Sequence, residues 1–152
     1  MRRNADAHQR KIMAERVAQY TPAQRKLWRK LERKLLAAGG DIVIAHPSGF
    51  DPDTEVLVEH GEMLVGPPVC VRKGRSSDCH GNASRLWKKD PKRYSIVTGY
   101  ALVDGRHGQW IQHSWVVDRK KRCFVDWLDA KDAYYGYMLS DEYAARFHDA
   151  NT

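Results

Sequence analysis

Three consecutive segments rich in β-branched and aromatic residues constrain the fold more than any other feature of this sequence. They span residues 94–103, 110–118 and 122–128, and short turn segments at 104–108 and 119–121 separate them. Strands this close in sequence pair most readily with their neighbours, each turn reversing the chain direction. The sequence therefore predicts an antiparallel meander in the second half of the chain.

A helix is predicted immediately before this meander. It begins near Cys79, carries Leu86 and Trp87 on an apolar side, and stops at Asp90-Pro91. The segment between residues 41 and 78 predicts a short strand at 41–45, a loop at 46–54, and weakly extended pieces at 55–59 and 69–71. Ser140 caps a final short helix, and the tyrosine-rich segment 130–138 before it predicts either a packed lid or a binding element.

The first quarter of the chain predicts a helical hairpin with a cationic outer face. One helix is expected over residues 6–20, and Thr21-Pro22-Ala23-Gln24 has the pattern of a capping box that starts a second helix. That helix places apolar residues along one stripe and ends at Gly39-Gly40. Residues 1–38 contain eleven basic and three acidic side chains, so their net charge of +8 exceeds the +7 of the whole chain.

This charge asymmetry indicates an anionic partner for residues 1–38, either a nucleic acid or an acidic protein. The candidate contacts are Arg25, Arg29, Lys30 and Arg33, and we expect the first three to be exposed opposite the apolar stripe. A solvated helix surface without any partner is an equally open interpretation, because the sequence contains no nucleic-acid-binding motif.

Cys79 differs from the other two cysteines in its surroundings. It follows the polar Ser76-Ser77-Asp78 and stands where a helix begins, whereas Cys70 and Cys123 fit core positions. An odd number of cysteines without a CxxC spacing does not favour a disulfide framework. A thiol becomes a good nucleophile as a thiolate, which a helix N-terminus and a neighbouring imidazolium both stabilise.

His113 and Asp126 lie on the last two strands of the predicted meander. If Arg119-Lys120 forms a two-residue loop, His113 falls directly opposite Asp126 and both side chains share one face of the sheet. An aspartate in that place accepts a hydrogen bond from one ring nitrogen and favours the imidazolium. Cys79, His113 and Asp126 are therefore the predicted catalytic residues.

From Cys79 onward the chain resembles the transglutaminase-like and papain-like superfamily of cysteine enzymes. The residues that carry the resemblance are Cys79 opening a helix, Gly99-Tyr100 in the first long strand, His113-Ser114-Trp115 and Val125-Asp126. The chain also resembles short bacterial and phage proteins with a Cys-x-x-Asn-Ala element, here Cys79 to Ala83, and a later Tyr-x-Gly, here Tyr134 to Gly136. The resemblance covers about residues 66–137.

The resemblance implies thiol-mediated acyl chemistry on an amide or ester, and a protein or peptide is one candidate substrate. Hydrolysis, deamidation and transamidation use the same site and are not separated by the sequence. Members commonly carry a Gln or Trp just before the cysteine region that helps to form the oxyanion hole, and no clear equivalent exists here. The candidates for oxyanion or substrate contacts are Asn82, His80, Gln112, Trp115 and Tyr135.

The expected fold is α+β, with the Cys79 helix packed on a small antiparallel sheet. Residues 1–40 form a basic hairpin extension and residues 41–152 a papain-like or transglutaminase-like core. The alternative function is a nucleic-acid- or acidic-partner-binding protein whose papain-like core is inactive. We expect no cofactor and no metal, since the spacing of Cys70, Cys79, His80 and Cys123 matches no standard zinc pattern. Without a secretory signal or a membrane span, the default compartment is the cytoplasm.

Overall fold

The computed structural model describes residues 2–103 and 108–152, with side chains from residue 7 onward. Along the chain, helices and short strands come first and the longer strands follow. The helices are α1 (Arg2–Ala18), α2 (Pro22–Ala38), α3 (Thr54–His60), α4 (Cys79–Lys89) and α5 (Asp141–Asn151). The strands are β1 (Ile42–Val43), β2 (Glu62–Val65), β3 (Val69–Arg72), β4 (Tyr94–Val103), β5 (Gln109–Asp118), β6 (Cys123–Trp127) and β7 (Ala133–Met138). The α+β class is confirmed. In the part of the chain that is described, no helix has the length and apolar character needed to cross a membrane.

The helix boundaries follow from short-range chemistry at their ends. The Thr21 hydroxyl accepts a hydrogen bond from the Gln24 amide, and the Gln24 side chain accepts one from the Thr21 amide, which is the predicted capping box. The chain leaves α2 at Gly39, whose φ of 139° favours glycine. The Ser140 hydroxyl accepts a hydrogen bond from the Tyr143 amide at the start of α5.

Two predictions for the connecting segments are wrong. Residues 55–59 are helical rather than extended, because they belong to α3, whose Leu57 is buried in the core it shares with α2. The segment 130–138 contains β7, a central strand of the sheet and not a lid. The turn predicted at 104–108 lies, apart from Gly108, outside the described residues.

The sheet has seven strands in the described residues, more than the small antiparallel sheet predicted. Its order is β2-β7-β4-β5-β6-β3, and β1 pairs with β5 outside this path. The predicted meander β4-β5-β6 is confirmed as antiparallel, whereas β1 with β5 and β3 with β6 are parallel pairs. β4 occupies one side of β5 along its length. β1 and β6 therefore share the other side, opposite residues 109–110 and 116–118 respectively.

The register between β5 and β6 differs from the prediction by two residues. Asp118 pairs with Cys123 and not with Lys121, so the loop has four residues. The Asp118 carboxylate accepts hydrogen bonds from the amides of Lys120 (3.0 Å) and Lys121 (3.1 Å), which wraps the longer loop around it. Side chains alternate between the two faces, so a shift of two residues leaves His113 and Asp126 on the same face.

Three groups of buried side chains form the core. The first joins the hairpin to the sheet and includes Trp28, Leu31, Tyr100 and Trp110. The second joins α4 and α5 to the sheet through residues such as Trp87, Ile96 and Val116. The third consists of strand residues alone, Val97, Ala101, Trp115 and Tyr134, with partly buried neighbours on β3, β5 and β6. Alternation along β4 places this third group on the face opposite the helices.

Candidate active site

Cys79 is the first residue of α4 and faces an open cleft. The cleft has a volume of about 370 Å³, and His113, Gln112 and Asn82 are among its lining residues. α4 packs against β5, and His113 lies on β5 in the interval between the parts paired with β1 and β6. Amide groups in the first turn of a helix lack intrahelical partners, so the thiol lies where a negative charge is stabilised.

Two histidines surround the Cys79 thiol. Burial acts to raise its pKa, but hydrogen bonds from His113 and His80, together with their charge, lower the pKa to about 5. A pKa that low means that the sulfur is a thiolate at neutral pH. The combination of a thiolate and an accessible cleft is typical of reactive rather than structural cysteines.

His113 is positioned by contacts on both sides of its ring. Its Nε2 lies 2.8 Å from Asp126 Oδ1, which leaves Nδ1 to face the thiol. The ring stacks on Trp115, with centroids 6.0 Å apart and planes 19° apart. Burial acts to lower the pKa of His113, but Asp126 and the Cys79 thiolate raise it to about 9. Cys79 and His113 therefore form a thiolate–imidazolium pair at pH 7.

Asp126 is fully buried and accepts hydrogen bonds from several directions. Besides His113, its donors are the Trp127 amide at 2.8 Å and the Tyr134 hydroxyl at 2.7 Å. The Lys131 ammonium nitrogen lies 3.3 Å from Oδ2, with only 9% of the lysine side chain exposed. Burial opposes ionisation of Asp126, yet His113 first, and then the Tyr134 hydroxyl and the Trp127 amide, hold the pKa of Asp126 below the ordinary value. The carboxylate is therefore fixed in place and charged.

His80 is the oxyanion candidate that interacts with the Cys79 thiol. Its Nδ1 is 2.6 Å from the Ser114 hydroxyl, which in turn is 2.9 Å from Thr98 Oγ1. The other ring nitrogen is left for the Cys79 thiol. The ring also contacts Phe147 edge-on, with centroids 5.4 Å apart. His80 is thus held beside the sulfur by contacts to the sheet and to α5.

The other two oxyanion candidates line the cleft but are engaged elsewhere. Asn82 accepts a hydrogen bond from the Arg75 amide (3.1 Å) and donates one to the Arg75 carbonyl (2.9 Å), so it fastens the loop before α4. Gln112 donates to Asp51 at 2.6 Å. Both side chains shape the cleft through these contacts.

The two predicted aromatic contacts do not face the cleft. Trp115 is fully buried behind His113, where it supports the ring. The placement of Tyr135 in the substrate groove is wrong, since its hydroxyl donates to the Leu57 carbonyl on the side of α3. Tyr135 is buried in the core group that joins the hairpin to the sheet.

Tyr134 and Lys131 are site residues that the sequence-based prediction missed. The ladder pairs His113 with Gly99 and Gly99 with Gly136, so these three residues share a face. Tyr134, two residues from Gly136, lies on that face and reaches Asp126. If residues 133–138 had been recognised as a strand beside β4, the alternation of side chains would have placed Tyr134, and not Tyr135, in the site.

Backbone strain is concentrated at the rim of the cleft. Three described non-glycine residues have positive φ, and two of them, Ser77 (54°) and Leu128 (74°), line the cleft. A positive φ is uncommon for a leucine. The Leu128 side chain is also 63% exposed. Such strain persists where the surrounding structure fixes the chain, and it is common at functional sites.

The basic face of the hairpin contains three of the four predicted cations in exposed positions. Arg29, Lys30 and Arg33 are exposed on α2. The expectation that Arg25 is a free surface cation is wrong. Its guanidinium is half-buried and donates to the carbonyls of Tyr20 (2.7 Å) and Ala18 (3.4 Å), which holds the turn between α1 and α2.

Within residues 2–103 and 108–152, no group of three or more His, Cys, Asp or Glu side chains is arranged to hold a metal ion. Comparisons of the chain with models of protein families, with curated proteins and with solved structures found no match.

Proposed function

We propose that this protein is a cysteine-dependent acyl-transfer enzyme with a papain-like or transglutaminase-like core. Cys79 is the nucleophile, His113 the acid and base, and Asp126 the residue that orients the histidine. The observation that carries the proposal is the Cys79 thiol itself, held at a helix start beside His113 with a pKa of about 5 and open to a cleft.

The first half of the reaction follows from the charges of the pair. The Cys79 thiolate attacks the carbonyl carbon of an amide or ester, and the new C–S bond gives a tetrahedral oxyanion. Donors for that oxygen come from the amides in the first turn of α4, and the His80 side chain, which interacts with the sulfur, is a further candidate. The His113 imidazolium then gives its Nδ1 proton to the departing amine as the C–N bond breaks.

The second half releases the acyl group. Neutral His113 takes a proton from water or from an acceptor amine, which attacks the thioester carbonyl and expels the Cys79 thiolate. Water completes hydrolysis or deamidation, and an amine completes transamidation. Asp126 keeps the His113 ring in one orientation through both halves, because its own position is fixed by Tyr134 and the Trp127 amide.

The test is covalent labelling of the folded protein. Iodoacetamide at pH 6–7 should alkylate Cys79 well before Cys70 and Cys123, as located by peptide mass spectrometry. Burial and the nearby Cys70 raise the pKa of Cys123 to about 11, so it is protonated at this pH. An activated ester such as p-nitrophenyl acetate should leave an acyl thioester on Cys79, and Cys79→Ala, the matched control, should leave none. Equal labelling of the three cysteines would overturn the proposal.

A second candidate function is binding of a nucleic acid or an acidic protein through α2, whether or not the core is active. It is favoured by the exposed Arg29, Lys30 and Arg33, which make no ion pair among the described residues. Reversal of these three charges should abolish binding of duplex DNA or polyglutamate at low salt. The hairpin should stay folded in this variant, because Arg25, which holds the turn between α1 and α2, is unchanged. If the unmodified protein binds neither polyanion at low salt, this face is a solvated surface.

A further inference from the structure

A second cavity, of about 470 Å³, adjoins the thiol cleft and has a basic lining. It shares Arg75, Asn82 and Trp127 with the cleft, so these residues form a common wall between the two spaces. The charged residues of its lining are Arg72, Lys73, Arg75, Arg85 and Lys89, and the described lining contains no acidic side chain. Five cations around one void repel each other unless an anion lies between them.

Only one of these five cations is neutralised within the described residues. Arg85 donates to Asp78 Oδ2 at 2.9 Å, and Arg72 lies 3.3 Å from the uncharged Tyr94 hydroxyl. Lys73, Arg75 and Lys89 are exposed and make no ion pair in the described part of the chain. With one of five charges paired, a net charge of +4 surrounds the cavity, more than a single carboxylate balances.

The backbone that carries Lys73 and Arg75 is fixed to α4. Asn82 binds both the amide and the carbonyl of Arg75, which anchors the segment 73–78 to α4. Gly74 packs directly on the indole of Trp127, where a methyl group would not fit. Because this backbone is already ordered, only side chains have to be ordered when an anion binds, which costs less conformational entropy than ordering a mobile loop as well.

We propose that this cavity binds a multiply charged anionic group, in the simplest case a phosphate, on the substrate whose acyl carbon reaches Cys79. The inference rests on the proposed function, and it adds the chemical class of the substrate. Arginine forks suit the oxygens of phosphate, and the lysines supply further charge. The substrate would span Trp127, with its anionic end over Arg72 and Lys89 and its acyl end in the cleft.

The first experiment measures anion binding without any chemistry at the thiol. Inorganic pyrophosphate is titrated by calorimetry into Cys79→Ala and into the same chain with Lys73→Gln and Lys89→Gln. The Kd should rise about tenfold in the latter, since each exposed ion pair contributes up to about fivefold. Lys88→Gln is the matched control, because Lys88 is an exposed neighbour on α4 that does not line the cavity.

The second experiment uses the native thiol and two electrophiles of different charge. The rate of alkylation of Cys79 by iodoacetate is divided by the rate with neutral iodoacetamide, which cancels changes in the thiolate fraction. The ratio should fall about fourfold in the Lys73→Gln, Lys89→Gln variant, because each of the two lost charges alters the local anion concentration by roughly a factor of two. Lys88→Gln should leave the ratio unchanged.

The failure of this inference and the failure of the proposed function are distinguishable. Absence of pyrophosphate binding, or equal weakening by Lys88→Gln and by the double variant, overturns the anion site even if Cys79 is highly reactive. Slow alkylation of Cys79 together with tight pyrophosphate binding overturns the proposed function, and with it the assignment of the anion to an acyl substrate.

Discussion

Replacement of His113 by alanine should change the pH dependence of Cys79 alkylation in a way that no structural defect imitates. In the native protein the pKa of Cys79 is about 5, so its reaction with iodoacetamide should be nearly independent of pH from about 6 upward. Without the imidazolium the thiol loses its principal stabilising partner. Its pKa should then move toward the ordinary value of about 8.5.

The expected size of the effect combines two opposing terms. At pH 6 a shift from about 5 to about 8.5 lowers the thiolate fraction roughly 300-fold. A more basic thiolate is intrinsically more nucleophilic, by a factor of roughly 40 for a coefficient of about 0.45. The net rate at pH 6 should therefore fall about tenfold, and less if His80 keeps the pKa of the variant below 8.5.

The same two terms predict that the order reverses at high pH. Above about pH 9 both proteins carry a thiolate, and the more basic thiolate of His113→Ala should react faster than the native one. The assay is pseudo-first-order alkylation from pH 5 to 10, with Cys70 and Cys123 replaced by serine in both proteins and circular dichroism as a check of folding. Parallel pH profiles without a crossover would refute the assignment of His113 as the partner of the thiolate.

Three further variants test the surroundings of the pair. Asp126→Asn should lower the pKa of His113 from about 9 toward its ordinary value, because the charge that stabilises the imidazolium is removed. NMR titration of the ring measures this pKa, and an unchanged titration would exclude Asp126 as the orienting group. Gly136→Ala should destabilise the protein by about 1–3 kcal/mol in urea unfolding, since the added methyl group would lie 2.6 Å from the Thr98 carbonyl oxygen on β4 and 2.8 Å from the Trp115 indole behind His113. A neutral effect would mean that both β4 and the indole yield without cost. Arg25→Ala should lower the free energy of unfolding by about 1 kcal/mol through loss of its bonds to backbone carbonyls, while exposed Arg33→Ala should not; equal effects would contradict the role given to Arg25.

Elements with strong local chemistry were predictable from the sequence. The capping box at Thr21 fixes the start of α2, and the β-branched and aromatic content of 94–103 defines β4 to the residue. β7 was not predictable in this way, because Gly136 weakens its strand propensity. Its place comes from pairing with β4 and β2, which no local pattern reveals.

The candidate site shows the same division between local and non-local information. That Cys79 begins a helix follows from the polar residues before it and from the proline that ends the helix. The contact between His113 and Asp126 was predicted from a register that is wrong by two residues. It forms all the same because an even shift keeps both side chains on one face, and a diagonal neighbour is still within reach of a histidine ring. Tyr134 and Lys131 reach Asp126 only through the tertiary arrangement.

Lys131 accounts for a charge that the other three residues leave unbalanced. A Cys79 thiolate, a His113 imidazolium and an Asp126 carboxylate together carry a net charge of −1 in a largely buried space, which is costly unless a cation compensates it. The Lys131 ammonium, 3.3 Å from Asp126 and mostly buried, supplies that cation. Lys131 also pairs with Asp129 at 2.8 Å, but that carboxylate is exposed to solvent. Among the buried groups the pairs are thiolate with imidazolium and the Asp126 carboxylate with the ammonium. Asp126 can then stay ionised without forcing the proton back onto Cys79, so the same lysine that fixes the carboxylate also helps to keep the sulfur nucleophilic.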